Sequence, residues 1–330
     1  YDETLGFKPV LTIDTARMYH IANNSYVTAV RGQAEKHNLS SNKPVTFALV
    51  TDELDVWRCY LLKNNVTILS DVKMEEASMQ QGFVALDPGG YYLNFLQFKP
   101  HRKNRKLMSS LNDLKSVYVN PQGTRCGEQK LGVKATIASF YYKDPKSIHK
   151  LYKKELGFKT VVKEKHATIY KTSPSGFFRV VDGAHGFHKP IDDQALKKGA
   201  MMSFFTNDTV EGWFDFIRKR KDVELRLPKM SDREELKAFA FNDYEGYSIE
   251  FDYFPEAKIN MDLRKSIKDN ADLQLEVGQN HYSSKKPWRG SNKEEKMFFT
   301  LGMMNAYAES VRHKAKILGL GEPLTAEETD

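Results

Sequence analysis

Cysteine is nearly missing from these 330 residues, with Cys59 and Cys126 the only two. Cys59 falls in a helical pattern and Cys126 in a polar connecting stretch. CxxC redox pairs and thiolate zinc sites are thereby excluded. Two thiols do not by themselves decide the redox compartment. No apolar run approaches the roughly 20 residues that a membrane-crossing helix needs. GxGxxG, P-loop and serine- or cysteine-nucleophile motifs are also missing, which removes the commonest sequence warrants for dinucleotide, nucleotide and acyl-transfer chemistry. An excess of one charge is slight, at +7 overall. Its densest cluster, KPHRKNRK at Lys99–Lys106, is not accompanied by any RNA or DNA module. It reads as a solvated linker, and nucleic acid is not an expected partner. The sequence begins with Tyr1 rather than a start methionine, so a removed export signal stays open, with the cytoplasm as the default expectation.

What the sequence does have is a repeat. LGFK occurs at Leu5–Lys8 and again at Leu156–Lys159. An offset of 151 carries Gly32 to Gly183 and His37 to His188, and an offset of 156 carries Trp57 to Trp213 and Asp87 to Asp243. A duplication of this length organises everything else. Within the second copy, ATIASFYY reads as a strand, PKSIHKLYKKELGF as a helix stopped by Gly157, and KTVVK, HATIYKT and GFFRVVDG as three further strands. The order restarts at Ala200, so each copy contains two βαβββ modules. The predicted class is α+β, with four such modules in two tandem domains. The predicted boundaries are 1–99, a basic linker at 100–129, 130–254, and an extension at 255–330. The first module is expected to lack its opening strand, which would precede Tyr1; another segment is expected to cover the edge left open.

The extension matches nothing in the repeat on this reading. It contains one strongly signalled helix at about 292–318. Ser291 and Glu294 form a capping box, Gly319 gives the stop, and Met297, Leu301, Met304, Ala308 and Val311 form an apolar stripe. That stripe is expected to pack on the protein's own surface or to serve a homodimer.

Paired modules whose helices end in LGFK and whose last strands follow DPGG or DYEG resemble the vicinal oxygen chelate superfamily. That group contains glyoxalase I, bleomycin-resistance proteins and extradiol dioxygenases. The resemblance covers Tyr1 to about Phe254 and implies two tandem half-open barrels, each formed by paired modules around a ligand cavity. It also implies a divalent metal held by His and Glu from the first and last strands of each module. The matching positions here are Val45, Ile137 and Met201 on first strands, and Thr28, Asn94, Arg179 and Glu250 on last strands. Only Glu250 is a normal ligand, so no metal and no other cofactor is expected. A divalent metal enters only under an enzymatic reading.

Glu250 and Arg179 are expected to face each other in one cavity, with Ile137 and Met201 packed beside them. Arg179, Glu250, Tyr247 and Phe177 are the candidate ligand-binding residues, for a small aromatic or anionic molecule. Glu250, His166 and His188 are the candidate acid–base residues, with His185 in the same loop as His188. Three functions remain open: a metal-independent small-molecule binding protein, a lyase, isomerase or dioxygenase using Glu250 with a loop histidine, and an assembly component.

Overall fold

The duplicated turn has a simple physical cause. Asp87 and Asp243 each accept a hydrogen bond through Oδ1 from the backbone N–H four residues on, Tyr91 at 2.7 Å and Tyr247 at 2.9 Å. The intervening Gly90 and Gly246 have φ of 84° and 88°, a left-handed conformation that glycine adopts without steric cost. Each turn sends a module's last strand back into its sheet. The computed structural model describes residues 1–13, 16–30, 43–70, 79–128, 130–185, 200–206 and 210–267, and the backbone of 71–72, 268–269 and 298–304.

The first module contributes β1 (Lys8–Ile13), β2 (Ala16–Ala22) and β3 (Ser25–Val30). The second contains β4 (Val45–Val50), α1 (Leu54–Lys63), β5 (Ile68–Val72), β6 (Gln80–Leu86) and β7 (Tyr92–Phe98). A helix α2 (Arg105–Asn112) and a small hairpin of β8 (Val117–Val119) and β9 (Leu131–Val133) connect the halves. The third module is β10 (Ala135–Tyr142), α3 (Pro145–His149) continued by a π-helical turn to Glu155, β11 (Lys159–Lys163), β12 (Ala167–Lys171) and β13 (Gly176–Asp182). The fourth is β14 (Ala200–Phe205), α4 (Val210–Arg218), the short β15 (Glu224–Leu225) and β16 (Ser231–Asp232), β17 (Lys237–Asn242) and β18 (Ser248–Tyr253). Helix α5 (Met261–Asp269) and strand β19 (Phe298–Met304) follow. The second and third modules show the full βαβββ order, the first only its three closing strands, and the fourth one extra short strand, β16. Within modules the order of strands is therefore as the sequence predicts.

Pairing between modules is not. The eight-stranded sheet runs β11-β12-β13-β10-β4-β7-β6-β5, joining the third module to the second through antiparallel β10 and β4. The nine-stranded sheet runs β1-β2-β3-β19-β14-β18-β17-β15, with β16 on β17, joining the first module to the fourth. Consecutive modules of one repeat thus lie in different sheets. Sequence order fixes each module but not its edge partner, because any two first strands can pair antiparallel.

β19 corrects the expected helix at 292–318 over Phe298–Met304. It is parallel to β3 and antiparallel to β14, the relation β10 has to β13 and β4. The edge predicted to be open is thus filled. Two rows of unpaired backbone groups override a helical spacing of Leu301 and Met304, since unmet N–H and C=O groups cost more than local propensity returns. Met297, Ala308 and Val311 lie outside the described residues.

The repeat also extends further than the sequence reading placed it. An offset of 156 carries Asn104 to Asn260 and Leu107 to Leu263, all four fully or almost fully buried. Asn104 Nδ2 donates to the carbonyls of Lys99 (2.8 Å) and Met79 (3.4 Å); Asn260 Nδ2 donates to those of Pro255 (3.0 Å) and Glu235 (2.7 Å). These are the same offset pairs, so α2 and α5 are copies of one element. The identity is hard to see because the flanking residues, RKNRK and KINMD, share almost nothing but the asparagine. Asn104→Ala should cost about 2 kcal/mol, because a fully buried side chain gives up its bonds to two part-buried carbonyls; urea denaturation measures it.

Alternation along the strands separates two faces. One central core takes Phe47, Phe95, Phe140, Phe178, Phe204 and Phe251 from both sheets, together with Trp57 and Trp213 from the helices. Each sheet's other, outer face has its own cluster. Leu107 and Leu111 of α2 pack on Ala48, Ile137 and Phe177; Leu263 of α5 packs with Met18, Tyr26 and Phe205.

Candidate functional site on the outer faces

The outer face of the eight-stranded sheet is apolar where α2 covers it and polar beyond. Ile137 and Phe177 belong to the covered part and are buried. Two positions further along their strands stand Ser139 and Arg179, adjacent in register. Arg179 Nη2 donates to Glu164 Oε2 at 2.6 Å, with both side chains about one-fifth exposed (20% and 19%). Across the β10–β4 seam, the Thr46 hydroxyl and the Tyr141 phenol are hydrogen bonded at 2.6 Å. Burial pushes the Tyr141 phenol up to about 12, against the opposing pull of the Thr46 bond and the Arg179 charge. The Arg179 Nε–H and the Asn94 Oδ1 are buried with no partner among the described residues.

The outer face of the nine-stranded sheet carries Glu250, which is 7% exposed and accepts from the Ser203 hydroxyl at 2.9 Å. Arg226 Nη1 donates to Ser248 Oγ at 3.0 Å, and Asn242 Nδ2 donates to Glu224 Oε2 at 3.1 Å. Burial holds the Arg226 guanidinium below its usual value, while the Glu250 and Glu224 charges draw it back up. Met201 is buried against Val30.

The expected Arg179–Glu250 contact is therefore not formed. Arg179 is on β13 and Glu250 on β18, in different sheets, because the modules pair across the repeat. Glu164 supplies the anion for Arg179, and Arg226 is the cation whose charge reaches Glu250. Sequence singles out neither partner, since both lie on strand ends with no repeat counterpart to mark them. Tyr247 is fully buried in the central core, donating to the carbonyls of Pro44 and Tyr141 at 3.1 Å each. The structure thus places it away from the outer faces.

His166 stands at the start of β12, away from Ile137 and Phe177. Its ring stacks on that of His185 with centroids 3.6 Å apart, and Asp182 Oδ2 lies 3.7 Å from His166 Nδ1 and 3.2 Å from His185 Nδ1. Ligating atoms of these three residues lie within 4.8 Å of one another, forming a group that could hold a metal. The hydrogen bond from the Ala184 backbone and the neighbouring imidazoles hold the Asp182 carboxyl below its ordinary value. Asp182 is absent from the sequence candidates, although it ends the strand that presents Arg179. His188 lies outside the described residues.

One pairing that the sequence leaves undecided is made. Cys59 on α1 and Cys126 in the connecting loop form a disulfide, with Cα atoms 6.0 Å apart.

No protein-family model matches the sequence, and no curated protein sequence matches it. Solved structures do. A candidate dioxygenase from Bacillus subtilis superposes with a TM-score of 0.51 at 13% identity, over 88% of this chain and 91% of that one. Glyoxalase I from Zea mays superposes with a TM-score of 0.50 at 14% identity, over 81% of this chain and 89% of that one. A mutant form of the same maize enzyme gives 0.50 at 15% identity, over 81% and 88%. The chain has the vicinal oxygen chelate fold.

Proposed function

We propose that this protein binds a small molecule on the polar part of the outer face of its eight-stranded sheet, without a metal at the fold family's usual centre. The supporting observation is a pair of buried groups on that face with no partner among the described residues: the Arg179 Nε–H in the polar part, and the Asn94 Oδ1 in the row of Ala48, Ile137 and Phe177. A guanidinium N–H and a carboxamide oxygen removed from water each cost free energy unless something bonds them. Arg179, the Tyr141 phenol that feels its charge, and the Thr46 hydroxyl bonded to that phenol offer donors and acceptors suited to a flat molecule carrying an anionic or carbonyl group. At the family's metal positions, Ile137 lies under α2 and Arg179 is itself a cation, a donor set that does not fit a divalent ion. In the other sheet Glu250 is one carboxylate beside the Ser203 hydroxyl, and the family position Met201 is apolar. A single ligand of this kind does not hold a catalytic metal.

A second reading has its own support. His166, Asp182 and His185 could hold a divalent cation at the rim, giving the enzymatic alternative a metal in a different place from the family's. Glu250 does not belong to that group. The disulfide favours an oxidising compartment and hence the export branch of the sequence reading. No helix among the described residues is long and apolar enough to cross a membrane.

A thermal-shift survey with aromatic carboxylates and a parallel titration with zinc and nickel test both readings. The expected result is a carboxylate that raises the melting temperature of the wild type but not of Arg179→Ala. Tight stoichiometric metal uptake that is lost in Glu250→Gln would overturn the metal-independent reading. Uptake lost only in His166→Ala would instead establish the rim site.

A further inference from the structure

The strand at the seam of the nine-stranded sheet is covalently remote from both neighbours. β3 ends at Val30, β14 begins at Ala200, and β19 is reached from α5 only through the 28 residues 270–297. Its backbone pairs in parallel with β3 from Phe299↔Ser25 to Met304↔Val30, and antiparallel with β14 from Phe298↔Phe205 to Ala200↔Met303. β10 makes the same two kinds of pair in the other sheet, but α3 follows it within three residues and fixes it in its module. The edges of β3 and β14 are thus satisfied by a segment that follows the preceding described element, α5, only after 28 further residues.

We propose that the gap between β3 and β14 is a strand-acceptor site, with residues 298–304 as its exchangeable intrachain occupant. The ligand class is an extended, uncharged, proline-free apolar peptide running parallel to β3. FFTLGMM meets each of those requirements. Recognition is by backbone hydrogen bonds on both sides of the strand, the mode by which peptides add to open sheet edges. A proline anywhere in a strand paired on both sides removes a ladder bond and carries its ring into the neighbouring strand. Covalent attachment through 28 residues makes rebinding of the segment intramolecular, at an effective concentration on the order of a millimolar or below. A free peptide therefore competes poorly with the intact chain and well once the connection is cut.

The test uses the full chain with a specific protease site inserted within 270–297. After cleavage, the C-terminal piece should co-elute with the body in gel filtration. An excess of a synthetic peptide of residues 296–306 should displace it at least tenfold more effectively than the same peptide carrying Leu301→Pro. Departure of the piece should expose the amides of 25–30 and 200–205 to hydrogen exchange. Uncut Leu301→Pro protein should bind the wild-type peptide with one-to-one stoichiometry. If that variant does not fold, the cleaved wild type still decides. Separation of the piece on cleavage, with protection of 25–30 and 200–205 unchanged, would show that the gap closes without it and would end the proposal.

Discussion

Reduction of the Cys59–Cys126 bridge should lower the free energy of unfolding by about 4 kcal/mol. The cross-link closes a loop of 67 residues, and the chain-entropy cost of leaving such a loop open is of this size. Native-state strain would reduce the effect, but the surroundings hold the two half-buried ends together independently. Asn64 exchanges hydrogen bonds with Thr124, Nδ2 to the carbonyl at 3.1 Å and Oδ1 from the N–H at 2.9 Å, and Lys63 Nζ donates to the Arg125 carbonyl at 3.2 Å. These bonds survive reduction and keep the loop docked on α1. The folded state is then almost unchanged, and the loss falls on the unfolded ensemble. Urea denaturation of the wild type with and without reductant, and of Cys59→Ser/Cys126→Ser, measures it. The reduced wild type and the double variant should share one midpoint, well below that of the oxidised protein. Coincident midpoints for all three would mean that the bridge does not form in solution.

That bridge marks a boundary of what the sequence makes readable. Modules are legible because their signals are local: a glycine with left-handed φ after Asp-x-x, a helix stopped at LGF, strands of alternating pattern. Residues far apart, with no periodicity linking them, are not. Cys59 and Cys126 form no motif, and Glu164 and Arg226 have no counterpart in the other repeat. The exchange of partners between modules has the largest consequence. A first strand carries the same apolar pattern whichever neighbour it pairs with, so the sequence specifies an edge without naming its partner. The exchange separates Arg179 from Glu250 and dissolves the predicted pair, although both residues sit on outer-facing strand positions. The C-terminal segment fails for the opposite reason. Its helical signals are real at short range, and a backbone requirement created by β3 and β14 outweighs them.

The duplicated turn carries the second large effect, and it concerns pH. Asp243 is 5% exposed; its Oδ1 accepts from the N–H groups of Glu245 (3.0 Å) and Tyr247 (2.9 Å), and its Oδ2 from the phenols of Tyr142 (2.8 Å) and Tyr152 (3.1 Å). Burial pushes its carboxyl up to about 6 from 3.8, with those four bonds pulling the other way. Burial, reinforced by the adjacent carboxylate, holds both phenols neutral, so they remain donors throughout. The folded protein therefore binds this proton more tightly than the unfolded chain does. The associated stabilisation is complete below about pH 3.8 and is lost as the pH rises through about 6. Its full size is about 3 kcal/mol, of which about 2 is present at pH 4.5. Other carboxylates impose their own acid dependence, so the informative quantity is the difference between the wild type and Asp243→Asn. The asparagine keeps one acceptor oxygen for the two N–H groups and cannot ionise. From pH 7.5 to pH 4.5, urea unfolding should show the wild type gaining about 2 kcal/mol relative to the variant. Parallel pH profiles for the two proteins would show that Asp243 ionises in the fold as freely as it does in water.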